Sequence, residues 1–597
     1  MMDNSKEELE HTLSLLQIEQ EEDRMQYKEL VLNKPLSERK NLGISWYPVV
    51  IRESFYGMGE RLILEIERPT NTDVPHLFQS GRVAALFSNL YDEGRDNPVI
   101  AGVVTSVRAN NLRLTLFVDE LPDWAEKGKL GLDLMFDETS YKEMESAMQR
   151  VIKAKNNRLA QLREVLLGFQ QPSFKPVKYP ISIPGLNSSQ NEAINKVISA
   201  EDVAIIHGPP GTGKTTTLVQ AIVQTLKQEK QVLVCAASNT AVDLLTEKLF
   251  AEGINVVRFG NPSRINDAQL SHTLDYKIAA HKEYKQIKEL KKRAVEFRNM
   301  ALKYKRNFGK EEREQRKVIL SEARKIQEEA EKLEKYITED LVANAQVCTT
   351  TLVGASVYLI RDREFPVVFI DEAAQALEPA CWIPITKARK VVFAGDHCQL
   401  PPTVKSIKAA KEGLDVTLFE KSINRIKADV MLEVQYRMND QIMQFSNKEF
   451  YQGRLKAHES VKDISLPASL PVEFIDTAGC GFTELYDANQ SVYNPEEMNI
   501  LFIHFQQLLQ EIDQESRYTY GVISPYKAQV NLMKEKLEEI VALEGKSAFI
   551  SVNTVDGFQG QERDVIYISL VRSNDKGEIG FLNDIRRMNV AITRAKR

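Results

Sequence analysis

The sequence predicts an α/β protein of parallel sheets, preceded by a small β-barrel on a helical support. From residue 181 onward, short runs that are apolar on both faces alternate with helical stretches, as parallel strands and their crossover helices do. Residues 43–135 instead hold several short strand-like runs parted by turn residues, the spacing of a small barrel. The 597 residues allow about four folding units, and 43% hydrophobic with 27% charged residues exclude a mainly disordered or collagen-like chain.

Taken in order, residues 6–32 and 140–168 are charged, with apolar residues at helical spacing. In the second stretch Met144, Met148, Ile152, Leu159, Leu162 and Leu166 form an interrupted stripe. Two arrangements stay open: helices packed on a core, or a projecting antiparallel pair. The barrel strands are expected at 48–51, 62–66, 99–104 and 112–118, with turns at Gly57-Met58-Gly59 and Asn110-Asn111. The parallel strands are expected at 203–206, 232–234, 367–370, 391–394, 520–523 and 565–568. Residues 282–340 break this pattern with 31 charged residues among 59, no proline and one glycine, Gly309. They read as two long helices turning near Asn307-Phe308-Gly309. Residues 282–310 carry 11 Lys/Arg against 3 Glu, which leaves open a solvated hairpin or a basic arm facing nucleic acid.

The net charge of -6 means that any nucleic acid would bind in a local channel, since proteins that coat it non-specifically are basic throughout. Cys235, Cys348, Cys381, Cys398 and Cys480 are far apart and form no C-x-x-C pair, which argues against a disulfide scaffold or zinc module and fits a reducing compartment. The N-terminus, MMDNSKEELEH, is too acidic for a signal or transit peptide. The uncharged stretch 341–360 has transmembrane length, but Asn344, Gln346, Thr349–Thr351 and Ser356 exclude a lipid-exposed span. A cytoplasmic monomer that makes no membrane contact is expected.

The strongest local signal is Gly208-Pro209-Pro210-Gly211-Thr212-Gly213-Lys214-Thr215-Thr216, which fits G-x-x-x-x-G-K-[ST] between an apolar strand and a helical run. Glycines let the backbone wrap round phosphate oxygens, and the following helix N-terminus adds partial positive charge. Lys214 is placed for the outer phosphates and the Thr215 hydroxyl for Mg²⁺. A second acidic contact is needed, and Val367–Ile370 supplies it by running into Asp371 and Glu372. Asp371 is placed for the metal, and Glu372 for the attacking water as general base. The chemistry so far is that of a nucleoside triphosphatase using ATP and Mg²⁺.

Other segments narrow the reading. In order they are Leu186-Asn-x-Ser-Gln190, the phosphate loop, Ala237–Ala241, Thr349-Thr350, Asp371–Gln375, Gly395-Asp-His-Cys-Gln399-Leu-Pro-Pro402, Val434–Met438, Ser524-Pro-Tyr526, Thr554–Glu562 and Asn589–Arg597. Together they resemble superfamily 1 helicases, in the branch of the nonsense-mediated-decay RNA helicase and the immunoglobulin-mu-binding helicase. Cys381–Ile385 and Phe474–Gly481 look most like the latter type. The resemblance spans about 190–597, and the preceding helix–barrel–helix resembles that branch's accessory barrel on a stalk.

The resemblance implies two RecA-like P-loop domains with ATP between them. A stalk and β-barrel would occupy 1–178. The first RecA-like domain would be 179–428, with a charged helical-hairpin insertion at 262–340. The second would be 429–597, expected to be truncated because the chain stops at Arg597, at the end of the last motif. Gln190 would read adenine, Tyr436 would stack on the base, and Glu562 would accept a ribose hydroxyl. Gln399 would contact the γ-phosphate or attacking water, and Arg437 and Arg594 would act as arginine fingers. Ser238, Asn239, Thr350, Pro402, Ser524, Tyr526 and Thr554 fall in segments that touch the strand in the family. Such groups bind backbone without reading sequence, although a Ser or Thr at a strand end is as often a helix cap. Cys398 departs from the family, sitting where many relatives have lysine, and no role is assigned to it.

The function implied is an ATP-dependent helicase acting 5′-to-3′ on single-stranded RNA or DNA, the polarity coming from the branch alone. The alternative is a nucleic-acid-stimulated ATPase that remodels or clamps ribonucleoprotein. A transporter ATPase or GTPase switch is disfavoured, as L-S-G-G-Q and N-K-x-D are missing. A fused nuclease is disfavoured too, since the first 180 residues offer neither a cysteine cluster nor a clear carboxylate–lysine nuclease core.

Overall fold

The structure, a computed structural model, describes residues 2–597 apart from 33, 57–61, 71, 73–75, 79–81, 90–97, 109, 119–120, 127, 261–270, 303–309, 468, 488–489, 513–517 and 545–549. Strands β1 (Ser45–Tyr56), β2 (Leu62–Glu67), β3 (Val83–Ser88), β4 (Val99–Arg108), β5 (Asn111–Leu116) and β6 (Leu130–Leu134) close a barrel in the order β1-β2-β5-β4-β3-β6. Along β2, Leu62, Leu64 and Ile66 are buried while the residues between them are not, the period-2 alternation of a one-sided strand. They meet Trp46, Leu86, Val104, Leu114 and Leu132 in the interior. Register shifts at Ile51/Glu53 and Val104/Ser106 bend β1 and β4 so that the sheet can close. Gly131 admits Phe87: a Cβ there would lie 2.2 Å from the Phe87 ring. β3 and β6 escape the sequence pattern because they are short and carry alanine and glycine, weak strand formers. The expected turn at Gly57-Met58-Gly59 lies outside the described residues.

The helices Met2–Tyr27, Glu138–Lys153 and Arg158–Leu166 pack on a core. Leu9, Leu16, Met148, Val151 and Leu162 join Val203, Leu233, Val368 and Val391 in one cluster. The buried Arg163 ties two of these helices together, donating to the Val151 and Ala154 carbonyls at 2.9 and 3.1 Å. Of the two arrangements left open, the packed one is observed.

Strands β7 (Val203–His207), β8 (Val232–Ala236), β9 (Val256–Arg258), β10 (Val347–Thr351), β11 (Phe365–Asp371), β12 (Ala388–Gly395) and β13 (Asp429–Met431) form a parallel sheet in the order β13-β7-β12-β11-β8-β10-β9. Alternate residues feed two cores. Val203, Ile205, Leu233 and Cys235 face one, and Ala204, Ile206, Val232 and Val234 the other, which is why these runs are apolar without alternation. β13 carries this sheet to Met431, past the boundary expected at 428.

The helices Tyr284–Leu302 and Lys310–Asn344 pack through Leu290, Ala294, Ile326 and Ala330, with Lys291 Nζ 2.9 Å from Glu334. The turn expected at 307–309 lies outside the described residues. A second parallel sheet places Tyr520–Ser524 between Ile550–Thr554 and Val565–Ile568. Phe502 and Phe505 of helix Pro495–Glu511, with Val530 and Met533 of helix Lys527–Glu544, cover it. Among the described residues, no helix is long and apolar enough to cross a membrane.

Candidate nucleotide cleft and strand track

The phosphate loop joins the C-terminal end of β7 to helix Lys214–Thr225. Gly211 and Gly213 have φ of +75° and +77°, where L side chains are strained, and a Cβ at Gly213 would lie 2.7 Å from Gln190 Nε2. Lys214 Nζ lies 3.2 Å from Asp371 Oδ1 and 2.5 Å from Glu372 Oε1. Burial works against its charge, yet Asp371 and Glu372 outweigh burial and hold the ammonium well above the usual lysine range. The chain turns at Glu372 through φ +52°, a left-handed conformation rare for a non-glycine residue, and Gln375 Nε2 donates to Glu372 Oε2 at 2.6 Å. Such strain is typical of residues held for a task.

The second domain's sequence reaches this loop directly. The Tyr436 N–H donates to the Gly211 carbonyl at 2.8 Å. A Cβ on Gly211 would lie 2.8 Å from Arg437 Cβ, so glycine permits the contact. Gln435 Oε1 accepts the Arg437 N–H at 2.8 Å and shapes this segment. Tyr436 is 39% exposed and is thus free to receive a flat partner; its ring packs on His458 at 4.6 Å, and its hydroxyl accepts from Asn187 at 3.1 Å. Gln190 is buried: its Oε1 accepts the Asn187 N–H in a capping box, and its Nε2 donates to the Thr212 carbonyl. Here its amide braces the phosphate loop.

Arg437 Nε donates to Glu562 Oε2 at 2.7 Å, and Lys596 Nζ lies 2.9 Å from Glu562 Oε1. Burial would raise the Glu562 carboxyl, but Arg437 and Lys596 hold it below the usual carboxylate range. The buried Arg594 donates from Nη2 to Gln399 Oε1 at 3.2 Å. Burial, then the neighbouring Arg437, disfavours its charge, while Glu372 favours it. Arg594, bonded to Gln399, thus interacts with the charges of both Glu372 beside Lys214 and Arg437 of the following segment.

Sequence reasoning missed a buried network behind Gln399. Asp396 Oδ2 accepts from Gln399 Nε2 at 2.8 Å and from the Tyr451 hydroxyl at 2.7 Å. Asp396 Oδ1 lies 3.1 Å from His207 Nε2. Asn589 Nδ2 donates to the Tyr451 hydroxyl and the Cys398 carbonyl. Burial would raise Asp396, but His207, Gln399 and Tyr451 hold its carboxyl below the usual range. Asp396 and Asn589 sit inside recognised segments, which was the available signal; nothing in the sequence pointed to Tyr451.

The strand-contact candidates cluster at C-terminal strand ends, where open parallel sheets bind ligands. Ser238 and Asn239 follow β8, Thr350 is in β10, Pro402 follows β12, and Ser524 and Thr554 end strands of the second sheet. Their side chains are largely engaged. Ser238 caps helix Asn239–Ala251, Asn239 Oδ1 accepts from Arg258, and Thr554 Oγ1 accepts the Gly557 N–H. Thr350, Pro402, Ser524 and Tyr526 are buried, and the Tyr526 hydroxyl accepts from Arg572.

Two AAA domain families match the chain, one over residues 185–407 and one over 414–597. The DNA-binding protein SMUBP-2 of Mesocricetus auratus is 33% identical, over 98% of this chain and 60% of that protein. An uncharacterized ATP-dependent helicase of Methanocaldococcus jannaschii is 34% identical, over 84% of this chain and 80% of that protein. A regulator of nonsense transcripts 1 homolog of Neurospora crassa is 32% identical, over 78% of this chain and 42% of that protein. The chain thus spans about 60% of the length of the SMUBP-2 relatives. Ten motifs in order, two matched domains and relatives 33% and 34% identical over 98% and 84% of the chain place it in the superfamily 1B helicases, in the branch of the nonsense-mediated-decay and immunoglobulin-mu-binding helicases.

Proposed function

We propose that the chain hydrolyses ATP in the cleft between two RecA-like domains and uses the cycle to move 5′-to-3′ along single-stranded RNA or DNA, displacing a paired strand. The observation that carries this is that Lys214 pairs with Asp371 and Glu372 while the Tyr436–Arg437 segment packs directly on the phosphate loop at Gly211, and Arg594 interacts with the charges of both Glu372 and Arg437. Lys214 is paired with the two carboxylates, and ATP phosphates would take their place as its partner, releasing Glu372. Glu372 then accepts a proton from the attacking water as the bond to the γ-phosphoryl forms and ADP leaves. Gln399, tied to both Asp396 and Arg594, positions that water or reports the γ-phosphate. Arg437 must leave Glu562 to reach the phosphates, and that exchange couples nucleotide to the second domain. Tyr436 stacks on the base, Gln190 reads its edge once its amide leaves the Asn187 N–H and the Thr212 carbonyl, and Glu562, once freed, takes a ribose hydroxyl.

Thr215 and Asp371 are hard oxygen donors of the kind Mg²⁺ takes, and they stand beside the glycine cradle in which a Cβ on Gly208 would meet the Lys214 side chain at 2.6 Å. When bound, the ion neutralises charge on the β- and γ-phosphate oxygens.

Helices Tyr284–Leu302 and Lys310–Asn344 make the charged helical-hairpin insertion in this reading, the barrel extends the strand track, and the protein works as a cytoplasmic monomer. Because Thr350, Ser524 and Tyr526 are buried, contacts at those segments run through backbone groups and caps. The SMUBP-2 relatives are DNA-binding by name and the Neurospora crassa relative is a regulator of nonsense transcripts, so both nucleic acids belong in the test. ATP turnover is to be measured with poly-RNA, with single-stranded DNA and with neither, beside strand displacement on 5′- and 3′-tailed duplexes. Unwinding of the 5′-tailed duplex is expected. Stimulated turnover without displacement of either duplex would replace the helicase with a clamp that remodels ribonucleoprotein.

A further inference from the structure

We propose that His207, Asp396, His397 and Cys398 form a binding site for a thiophilic divalent cation of the Zn²⁺ class, and that filling it slows the ATP cycle.

The site follows from the sheet. β7 and β12 are adjacent parallel strands with His207 in register with Gly395. The residue before the phosphate loop therefore lies beside the three residues that follow β12. The ligand atoms of all four residues lie within 4.8 Å of one another. His207 Nε2 is 3.1 Å from Asp396 Oδ1, and His397 Nε2 is 3.7 Å from Cys398 Sγ. In a tetrahedral zinc shell with bonds near 2.0–2.3 Å, donors stand about 3.3–3.8 Å apart, so a pair at the 4.8 Å limit needs to close by about 1–1.5 Å.

A second observation is independent of those distances. Among the described residues His397 Nδ1 is buried with no hydrogen-bond partner, and its Nε2 lies 3.7 Å from the Cys398 sulfur. A half-buried imidazole with an unpartnered ring nitrogen beside three other donors calls for an explanation, and a metal bond is one. Two imidazoles, a thiolate and a carboxylate make a closed four-donor set that suits Zn²⁺ and excludes Mg²⁺, which keeps this site distinct from the Thr215–Asp371 pair. The carboxylate and thiolate charges balance a dication, as a buried site needs. On loading, Cys398 releases to solvent its thiol proton, now aimed at the Phe450 carbonyl at 3.6 Å, and His207 ligates through Nε2 as the neutral tautomer with its proton on Nδ1.

The surroundings suit the role. Metal on Asp396 Oδ1 leaves Oδ2 to Gln399 and Tyr451, and the Cys398 carbonyl still accepts from Asn589. Tyr451 and Asn589 come from the second domain's sequence, so a filled site pins Gln399 and the domain contact in one arrangement. The effect on turnover rests on the proposed ATPase reading, whereas binding does not.

The test is titration of the chelator-stripped full chain with Co²⁺, then Zn²⁺. One Co²⁺ per chain should bind with a cobalt–thiolate charge-transfer band that Zn²⁺ abolishes. The band should persist in Cys480→Ser, which removes the exposed thiol, and vanish in Cys398→Ser with the far-UV circular dichroism unchanged. His397→Gln should weaken binding, and Tyr451→Phe, in the outer shell, should weaken it about 10–100-fold. Zn²⁺ should slow ATP turnover in the wild-type chain and not in Cys398→Ser. A band that survives Cys398→Ser or disappears in Cys480→Ser, or no band at any ratio, overturns the site; if Cys398→Ser does not fold, unaltered binding by His397→Gln does so. Stoichiometric binding with Zn²⁺-insensitive turnover overturns the regulatory half, and binding by a chain with no ATPase activity overturns the proposed function instead.

Discussion

Replacing Glu372 with Gln isolates one proton. The two side chains are nearly isosteric, so the amide oxygen still accepts from Gln375 Nε2, and Asp371 still faces Lys214. What is lost is the carboxylate 2.5 Å from Lys214 and its capacity to take a proton from water. Loss of a general base costs about 10²–10⁴ in rate. At 1.36 kcal/mol per decade that is about 2.7–5.4 kcal/mol of barrier. Stability should move little, because Lys214 keeps Asp371 as its partner and the substituted amide still accepts a hydrogen bond; a loss of about 1 kcal/mol is expected. The assay is phosphate release at saturating single-stranded RNA, beside displacement of a fluorescent ATP analogue and urea unfolding. Glu372→Gln should bind the analogue and nucleic acid as the wild type does while releasing phosphate slowly. Near-normal release would remove Glu372 from the mechanism, and loss of binding would show that its role is structural.

Four further outcomes are expected. Arg437→Ala and Arg594→Lys should lower turnover by up to about 10³–10⁵ with little change in ATP-analogue affinity. Gly213→Ala should weaken nucleotide binding measured by calorimetry, because φ of +77° costs an L residue about 1–2 kcal/mol and the added Cβ strikes Gln190. Tyr451→Phe removes a hydrogen bond to the Asp396 carboxylate and should cost about 1.5–3 kcal/mol in urea unfolding. Lys292→Glu with Arg293→Glu separates the two readings of the basic helix, Lys291 being left alone because it pairs with Glu334. A strand-guiding arm predicts weaker RNA binding with a shallower salt slope and intact ATPase at saturating RNA, whereas a solvated hairpin predicts no change in either.

The strand–loop–helix at Lys214 and the acidic end of β11 could be read from sequence because each is local: an apolar run, a turn and a helix within a few residues. Even their meeting was foreseeable, since both lie at C-terminal strand ends. β9 and β13 were not, being three-residue edge strands whose pairing depends on neighbours far along the chain. The Asp396 network was hidden for the same reason. His207 stands 189 residues from Asp396, and Tyr451 stands 138 from Asn589, so no spacing rule joins them. Motif order also says nothing of which way a side chain faces. Thr350 and Ser524 lie in strand-contact segments, yet their hydroxyls are buried. The packing of the first helices was open because Met144, Met148 and Leu162 would line a projecting pair as readily as the core they join with Leu9 and Leu16.

The central claim is that a nucleic-acid-responsive ATP cycle runs through Lys214 in this cleft. Phosphate release from MgATP, measured on the wild-type chain and Lys214→Ala with and without single-stranded RNA or DNA, tests it most directly. The account predicts release that rises with at least one of the two strands and is lost in Lys214→Ala. Release indifferent to both nucleic acids, or retained in Lys214→Ala, would contradict it.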